Sequence, residues 1–129
     1  MDIRKYTANV SFRAVSNWNK KCRFKNKKAT IFKIYGRGHL IASCYIANNW
    51  IYNLVVNPKY RNKGYGKALL KEAEKEILKK YKTVNLTPQD NDPKLREFYS
   101  KLGYSGFTGN ELGYEEEDKT WWVMTKRRD

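Results

Sequence analysis

The sequence predicts a mixed α/β (α+β) fold in a single domain over residues 1–129, with a mostly antiparallel central sheet flanked by helices. Three observations carry that expectation. Three β-branched and aromatic runs follow one another between Thr30 and Val56 with turn residues between them. An amphipathic stretch extends from Gly64 to Tyr81, and shorter strand, helix and strand signals alternate after it. A chain of 129 residues, 40% hydrophobic and 15% aromatic, can close one core without a disulfide or metal staple.

Each element has its own signal. Val10, Phe12 and Val15 alternate as in a short strand, and Trp18 to Lys28 is polar and basic, irregular or weakly helical. Thr30 to Tyr35 opens a meander, with Gly36-Arg37-Gly38 as its first turn. Leu40 to Ala47 is the second strand, closed by Asn48-Asn49. Trp50 to Val56 is the third and stops at Asn57-Pro58, since proline has no N–H to give a ladder. From Gly64 to Tyr81, Leu69, Ala73 and Ile77 recur every four residues with Leu70 and Leu78 beside them, which makes one apolar helix face. Glu76 and Lys80 are spaced to pair on the other face. Val84 to Leu86 reads as a short strand. Leu95, Phe98, Tyr99 and Leu102 form a second helix with Gly103 as its C-terminal cap. Thr120 to Thr125, containing Trp121 and Trp122, is the last strand.

Charge and cysteine usage narrow the function classes. A formal net charge of +14, from 27 basic against 13 acidic residues, attracts polyanions such as nucleic acid, an anionic membrane or a phosphorylated cofactor. Nineteen of the 27 are lysines, in a chain also rich in Asn, Ile and Tyr. That mixture is what AT-rich codons produce, and the charges are spread along the chain, so charge alone decides little. Cys22 and Cys44 form no CxxC pair, and His39 is the single histidine, so no metal site is expected. Cys44 lies in an apolar run and reads as a core thiol. No signal-peptide pattern and no apolar stretch near the roughly 18 residues of a membrane span appear, so a cytoplasmic protein without membrane association is the expectation.

Chemistry concentrates in Leu54-Val55-Val56-Asn57-Pro58-Lys59-Tyr60-Arg61-Asn62-Lys63-Gly64-Tyr65-Gly66-Lys67. A strand ends at a proline, and a basic turn with two glycines opens into the long helix. A helix N-terminus carries unpaired amides and partial positive charge, and glycines let backbone approach an anion, so the segment suits phosphate. The same residues also serve a plain strand-turn-helix in which the glycines only make the bend. A Walker loop is excluded because position 61 is Arg and Ala68 follows Lys67, and GxGxxG is absent.

The run Arg61-x-x-Gly64-x-Gly66, after a strand ending Leu54-x-Val56-x-Pro58-x-Tyr60, resembles the acetyl-coenzyme A signature of the GNAT N-acetyltransferase superfamily. Phe98-Tyr99-Ser100-Lys101-Leu102-Gly103-Tyr104 is similar to that family's second conserved block, at the right separation. The resemblance runs from about Ala29 to Tyr104. It implies a GNAT fold and transfer of an acetyl group from acetyl-coenzyme A to an amine by direct attack, without a covalent intermediate. Leu54, Val55 and Val56 would splay from the neighbouring strand and bond the pantetheine arm, one of their amides polarising the thioester carbonyl. Arg61, Asn62, Lys63, Gly64, Tyr65, Gly66 and Lys67 would hold the pyrophosphate. Tyr99 matches the tyrosine that protonates the departing thiolate, although core packing also explains an aromatic there.

Departures from the family pattern mark what stays open. The strand before the signature carries Trp50, Tyr52 and Asn53 where many members have a carboxylate, which leaves the base among water, Asp90, Asp92 and the run Glu115-Glu116-Glu117-Asp118. That acidic run reads as a solvated loop or as a lure for a cationic amine. Asn91, beside Asp92, is the nearest match to a family asparagine that contacts the cofactor. The N-terminal helical part is reduced for the family, which leaves the acceptor cleft open in a monomer or completed in a homodimer. Two other readings compete: a module that binds acetyl-coenzyme A without turnover, and a nucleic-acid-binding domain stacking bases on Trp121 and Trp122.

Overall fold

A computed structural model of the chain describes residues 2–10, 27–88, 92–108 and 122–128. The strands are β1 (Asp2–Val10), β2 (Lys27–Gly36), β3 (His39–Ala47), β4 (Trp50–Val56), β5 (Thr83–Leu86), β6 (Ser105–Thr108) and β7 (Trp122–Arg127), and the helices are α1 (Tyr65–Ile77) and α2 (Pro93–Lys101). All strands join one sheet in the order β1-β2-β3-β4-β5-β7-β6. Every pairing is antiparallel except β4 with β5, so the expected mixed, mostly antiparallel sheet is present.

The meander forms where β-branched runs meet turn residues. Arg37 and Gly38, the central pair of the β2–β3 hairpin, both have positive φ (51° and 78°), as a twist-compatible two-residue turn requires. Residues opposite each other in a ladder share a face, so Phe32 with Cys44 and Ile34 with Ala42 line one side of the sheet. The apolar stripe of α1, Leu69, Leu70, Ala73 and Ile77, is buried in the same core cluster, with Val84, Leu86, Tyr99, Tyr104 and Met124. Cys44 is a buried core thiol, as expected, and burial pushes it up to about 12, which keeps it protonated.

Several boundaries differ from expectation for physical reasons. The first strand covers Asp2–Val10, earlier than the Val10, Phe12 and Val15 alternation suggested, and Phe12 and Val15 lie outside the described residues. As an edge strand β1 carries Asp2, Arg4, Lys5, Thr7 and Asn9, polar residues that suit an edge and hide the strand pattern. Helix α1 stops at Ile77, short of Tyr81. Lys80 therefore leaves the helical register, and Glu76 pairs with Lys79 (3.3 Å) and Lys5 of β1 (3.2 Å) instead. β6, with the sequence SGFT, gave no hydrophobic signal, and β7 runs two residues beyond Thr125. Residues 11–26, where weak helical character was expected, and Trp121 lie outside the described residues.

Candidate functional site

β4 is bonded unequally on its two sides. Toward β3 it pairs from Ala47↔Trp50 to Ala42↔Val56. Between Ser43 and Tyr45 the register shifts: two steps on β3 face three on β4, from Tyr52 to Val55. The extra residue is a β-bulge, and Asn53 there has φ 49°, with its Nδ2 donating to Tyr45 Oη at 3.3 Å. Toward β5 the described pairing is Trp50↔Asn85, with Asn85 N–H donating to Asn49 O at 2.8 Å. Beyond that pair no further β4–β5 register pair is found among the described residues, and β5 ends at Leu86. Val55 is 48% exposed at this open edge.

The turn after β4 is braced by its own side chains. Asn57 N–H donates to Ile41 O at 2.7 Å, and Asn57 Oδ1 accepts from Lys59 N at 3.1 Å, which caps a short 3-10 turn, Pro58–Tyr60. Arg61 Nε donates to Val56 O at 3.3 Å, tying the turn to the strand end. Tyr65 meets Tyr60 edge-on at 6.2 Å, and Lys63 Nζ stands 5.7 Å over the Tyr60 ring. Asn62 (φ 63°) and Gly64 (φ 85°) both take the left-handed conformation, which turns the chain into α1.

Gly64 is the N-cap of α1 and supplies no side-chain cap. The first amide of this region with a described acceptor is that of Ala68, which donates to Gly64 O at 3.0 Å. Among the described residues, no acceptor is found for the amides of Gly64 through Lys67, while the turn at Arg61–Asn62 closes on the Lys63 amide. A Cβ placed on Gly64 meets no atom within 4 Å, so space lies beside these amides. At Gly66 a Cβ would lie 3.2 Å from Val56 Cγ2, so its bareness also lets α1 dock closely on β4. Uncapped N-terminal amides, exposed Lys63 and Lys67, and an open approach meet at the start of α1, a combination that favours an anion.

Tyr99 lies on α2 and is buried, its ring edge-on to Phe98 at 5.3 Å and to Tyr104 at 5.8 Å. Its hydroxyl has no hydrogen-bond partner among the described residues. Burial first, and then the nearby Cys44, pushes that hydroxyl up to about 12. Cys44 stands on β3 at the register shift opposite the β4 bulge, so Tyr99 lies near that point of the β3–β4 ladder. Leu54 through Lys67 are thus contiguous around the strand end, and Tyr99 approaches from a separate element.

Asp92 is committed as the N-cap of α2, Oδ1 accepting from Lys94 N at 2.9 Å. Asp90, Asn91 and the Glu115–Asp118 run lie outside the described residues. No group of three potential metal ligands is found among the described residues, and no described helix is long and apolar enough to cross a membrane. Sequence reasoning missed the pairing of Glu74, buried in α1, with Tyr104 and with Lys126 of β7. The available signal was Glu74's position inside the stripe Leu70, Ala73 and Ile77.

A family model described as an acetyltransferase (GNAT) domain matches residues 27–105. A search of curated proteins returns no match. Among solved structures, the PaiA N-acetyltransferase from Thermoplasma acidophilum in complex with coenzyme A is 26% identical, with a TM-score of 0.58 over 76% of this chain and 60% of that one. An acetyltransferase from Bacillus subtilis in complex with CoA is 15% identical, with a TM-score of 0.64 over 78% of each chain. A GNAT family acetyltransferase from Elizabethkingia anophelis with acetyl-CoA bound is 17% identical, with a TM-score of 0.61 over 78% of this chain and 76% of that one. The chain therefore spans about three-fifths of the length of the Thermoplasma protein.

Proposed function

The chain belongs to the GNAT acetyltransferase family, and from that premise we propose that it transfers the acetyl group of acetyl-coenzyme A to a primary amine by direct attack. The observation that carries this reading is the row of uncapped amides from Gly64 to Lys67 at the N-terminus of α1, directly after the end of β4. These amides, with Lys63 and Lys67, hold the pyrophosphate, and Arg61 braces the turn through Val56 O. The free edge of Leu54, Val55 and Val56 supplies backbone groups to the pantetheine arm, as an added strand would. One amide of that edge polarises the thioester carbonyl.

The amine nitrogen attacks the carbonyl carbon, the C–N bond forms and the C–S bond breaks. The amine's surplus proton passes to solvent, and the sulfur leaves with the electron pair. A hydroxyl held at about 12 faces a thiol whose ordinary value is about 8.5, so complete proton transfer from Tyr99 is uphill. Tyr99 therefore acts by donating a hydrogen bond to the developing thiolate, a form of electrostatic stabilisation. Water completes the protonation of the product thiol.

Calorimetry with coenzyme A, followed by thiol release from acetyl-coenzyme A with polyamines, amino sugars, free amino acids and lysine or N-terminal peptides, tests the reading. Binding together with amine-dependent release supports it. Absence of both heat and melting shift ends it. β4 carries Trp50, Tyr52 and Asn53 and no carboxylate, which favours a second reading, a module that binds the thioester without turnover. Binding without amine-dependent release in the whole panel selects that second reading.

A further inference from the structure

Glu74 is the one charged side chain buried among the described residues, at 7% exposure. A buried carboxylate is tolerated when it is paired and its oxygens are bonded, and here both oxygens are used. Tyr104 Oη donates to Oε1 at 2.9 Å, and Lys126 Nζ donates to Oε2 at 3.2 Å. The Lys126 stem passes Gly103, where a Cβ would lie 3.4 Å from Cε, and its ammonium stands 5.9 Å from the Tyr104 ring centroid. The cluster thus draws α1, β7 and the residue leading into β6 onto one carboxylate.

Replacing such an ionic group by apolar residues of like volume is often neutral for stability, so stability is a poor reason for it. Orientation is a better one. Tyr104 N–H donates to Tyr99 O at 3.1 Å, and its ring meets the Tyr99 ring edge-on at 5.8 Å with 66° between planes. The bond to Glu74 anchors the hydroxyl end of the Tyr104 ring, and that ring is one wall of the seat of Tyr99. Because the Tyr99 hydroxyl has no described partner, its position depends on its ring contacts with Phe98 and Tyr104.

We propose that Glu74, Tyr104 and Lys126 are positioning residues that hold the Tyr99 ring, and with it the hydroxyl, in its seat near Cys44 of β3. The proposal rests on the reading of Tyr99 as donor to the leaving sulfur. Displacing a donor by a fraction of an ångström lowers the rate of the step it serves while binding of the remote parts of the substrate is unaffected.

The experiment is a double-mutant cycle on the full chain: wild type, Tyr99→Phe, Tyr104→Phe and the double variant, assayed with acetyl-coenzyme A and the amine found by the panel, with melting temperatures alongside. Tyr104→Phe keeps the ring and removes the bond. It is expected to lower kcat about 10-fold, with KM for acetyl-coenzyme A unchanged. In the Tyr99→Phe background the same change is expected to have no further effect. If Tyr104→Phe melts too low to assay, Glu74→Met, which removes both acceptors at similar volume, takes its place in the cycle. Wild-type kcat in that arm, or the same fold loss in both backgrounds, overturns the proposal and assigns the cluster to packing alone. Wild-type kcat in Tyr99→Phe overturns the donor reading itself, and with it this proposal. That arm leaves the cluster intact, so the two failures are told apart.

Discussion

The two flanks of β4 are built to opposite ends. On the β3 side, backbone groups are consumed by a ladder whose inner face, Cys44 and Ala42 beside Phe32 and Ile34 of β2, is buried beneath α1. On the β5 side, the ladder is one register pair, and no further pair is found along the strand edge among the described residues. Unmet backbone groups are costly when buried and useful when a ligand can reach them. A single bulge at Asn53 separates the two regimes. Stability and the proposed binding then draw on different atoms of one strand, and that separation can be broken by finding a change that moves both together.

The largest effect is expected on the ladder side. Ile34 is fully buried under α1, and Ile34→Ala leaves a cavity that lowers stability by about 2–5 kcal/mol. Urea denaturation measures that loss, and coenzyme A affinity of the folded fraction at low temperature should stay as in wild type. A parallel loss of affinity would mean that the open edge is shaped by the core beneath it and that the flanks are not independent.

Next in size comes Gly64→Asp, on the open side. The left-handed backbone at φ 85° tolerates Asp and Asn better than other side chains, and the new Cβ meets no atom within 4 Å. A carboxylate set among the amides proposed to receive a diphosphate is expected to weaken coenzyme A binding by about 10- to 100-fold, the size of a lost charge-assisted bond. Melting temperature should fall by a few degrees, because a side chain at this φ is strained even in open space. Gly64→Asn, with the same shape and no charge, separates electrostatics from backbone strain: titration should show it retaining most of the affinity, and equal loss in both variants would assign the effect to the backbone.

A pH dependence sharpens the comparison further. Burial pushes Cys44 from 9.0 and Tyr99 from 10.0, each up to about 12, so the native state holds protons that the unfolded chain releases first. Above about pH 9 the unfolded state binds fewer protons, the slope of unfolding free energy with pH is negative, and stability falls until the native groups also ionise near 12. The part due to Cys44 is on the order of 1–2 kcal/mol in the middle of that window. Urea midpoints followed from pH 8 to about pH 11 should fall more steeply in wild type than in Cys44→Ala. Parallel curves would remove Cys44 from the account.

What could be read from the sequence follows from where periodicity is strong. β2, β3 and β4 carry β-branched and aromatic residues between turn signals, and α1 carries a four-residue stripe, so element type and order were legible. β1 and β6 were not, because an edge strand of charged residues and a four-residue SGFT strand have no apolar alternation to show. At the site, the glycine turn was legible as anion chemistry, but the division of labour was not. Only geometry separates Gly64, which turns the chain, from Gly66, which admits a neighbour. The Glu74–Tyr104 bond spans thirty residues and has no local spacing to betray it.

The smallest expected effect tests the point where the two flanks meet. Gly66 lies in the first turn of α1, and the Cβ of Gly66→Ala would stand 3.2 Å from Val56 Cγ2, tight enough that one of the two must yield by a few tenths of an ångström. Val56 is partly exposed at the end of β4, with α1 on one side and the free edge on the other, so it has room to yield. Alanine also favours the helix over glycine by about 1 kcal/mol in a helix interior and less at its first turn. The two effects oppose, and thermal melting should detect a net change below about 1 kcal/mol. The shift of Val56, however, falls on the backbone proposed to take the pantetheine arm, so coenzyme A affinity should drop a few-fold, about 1 kcal/mol or less. A large fall in stability with affinity intact would place the strain in the helix docking rather than in the strand edge, and would show that α1, not β4, sets the width of the opening.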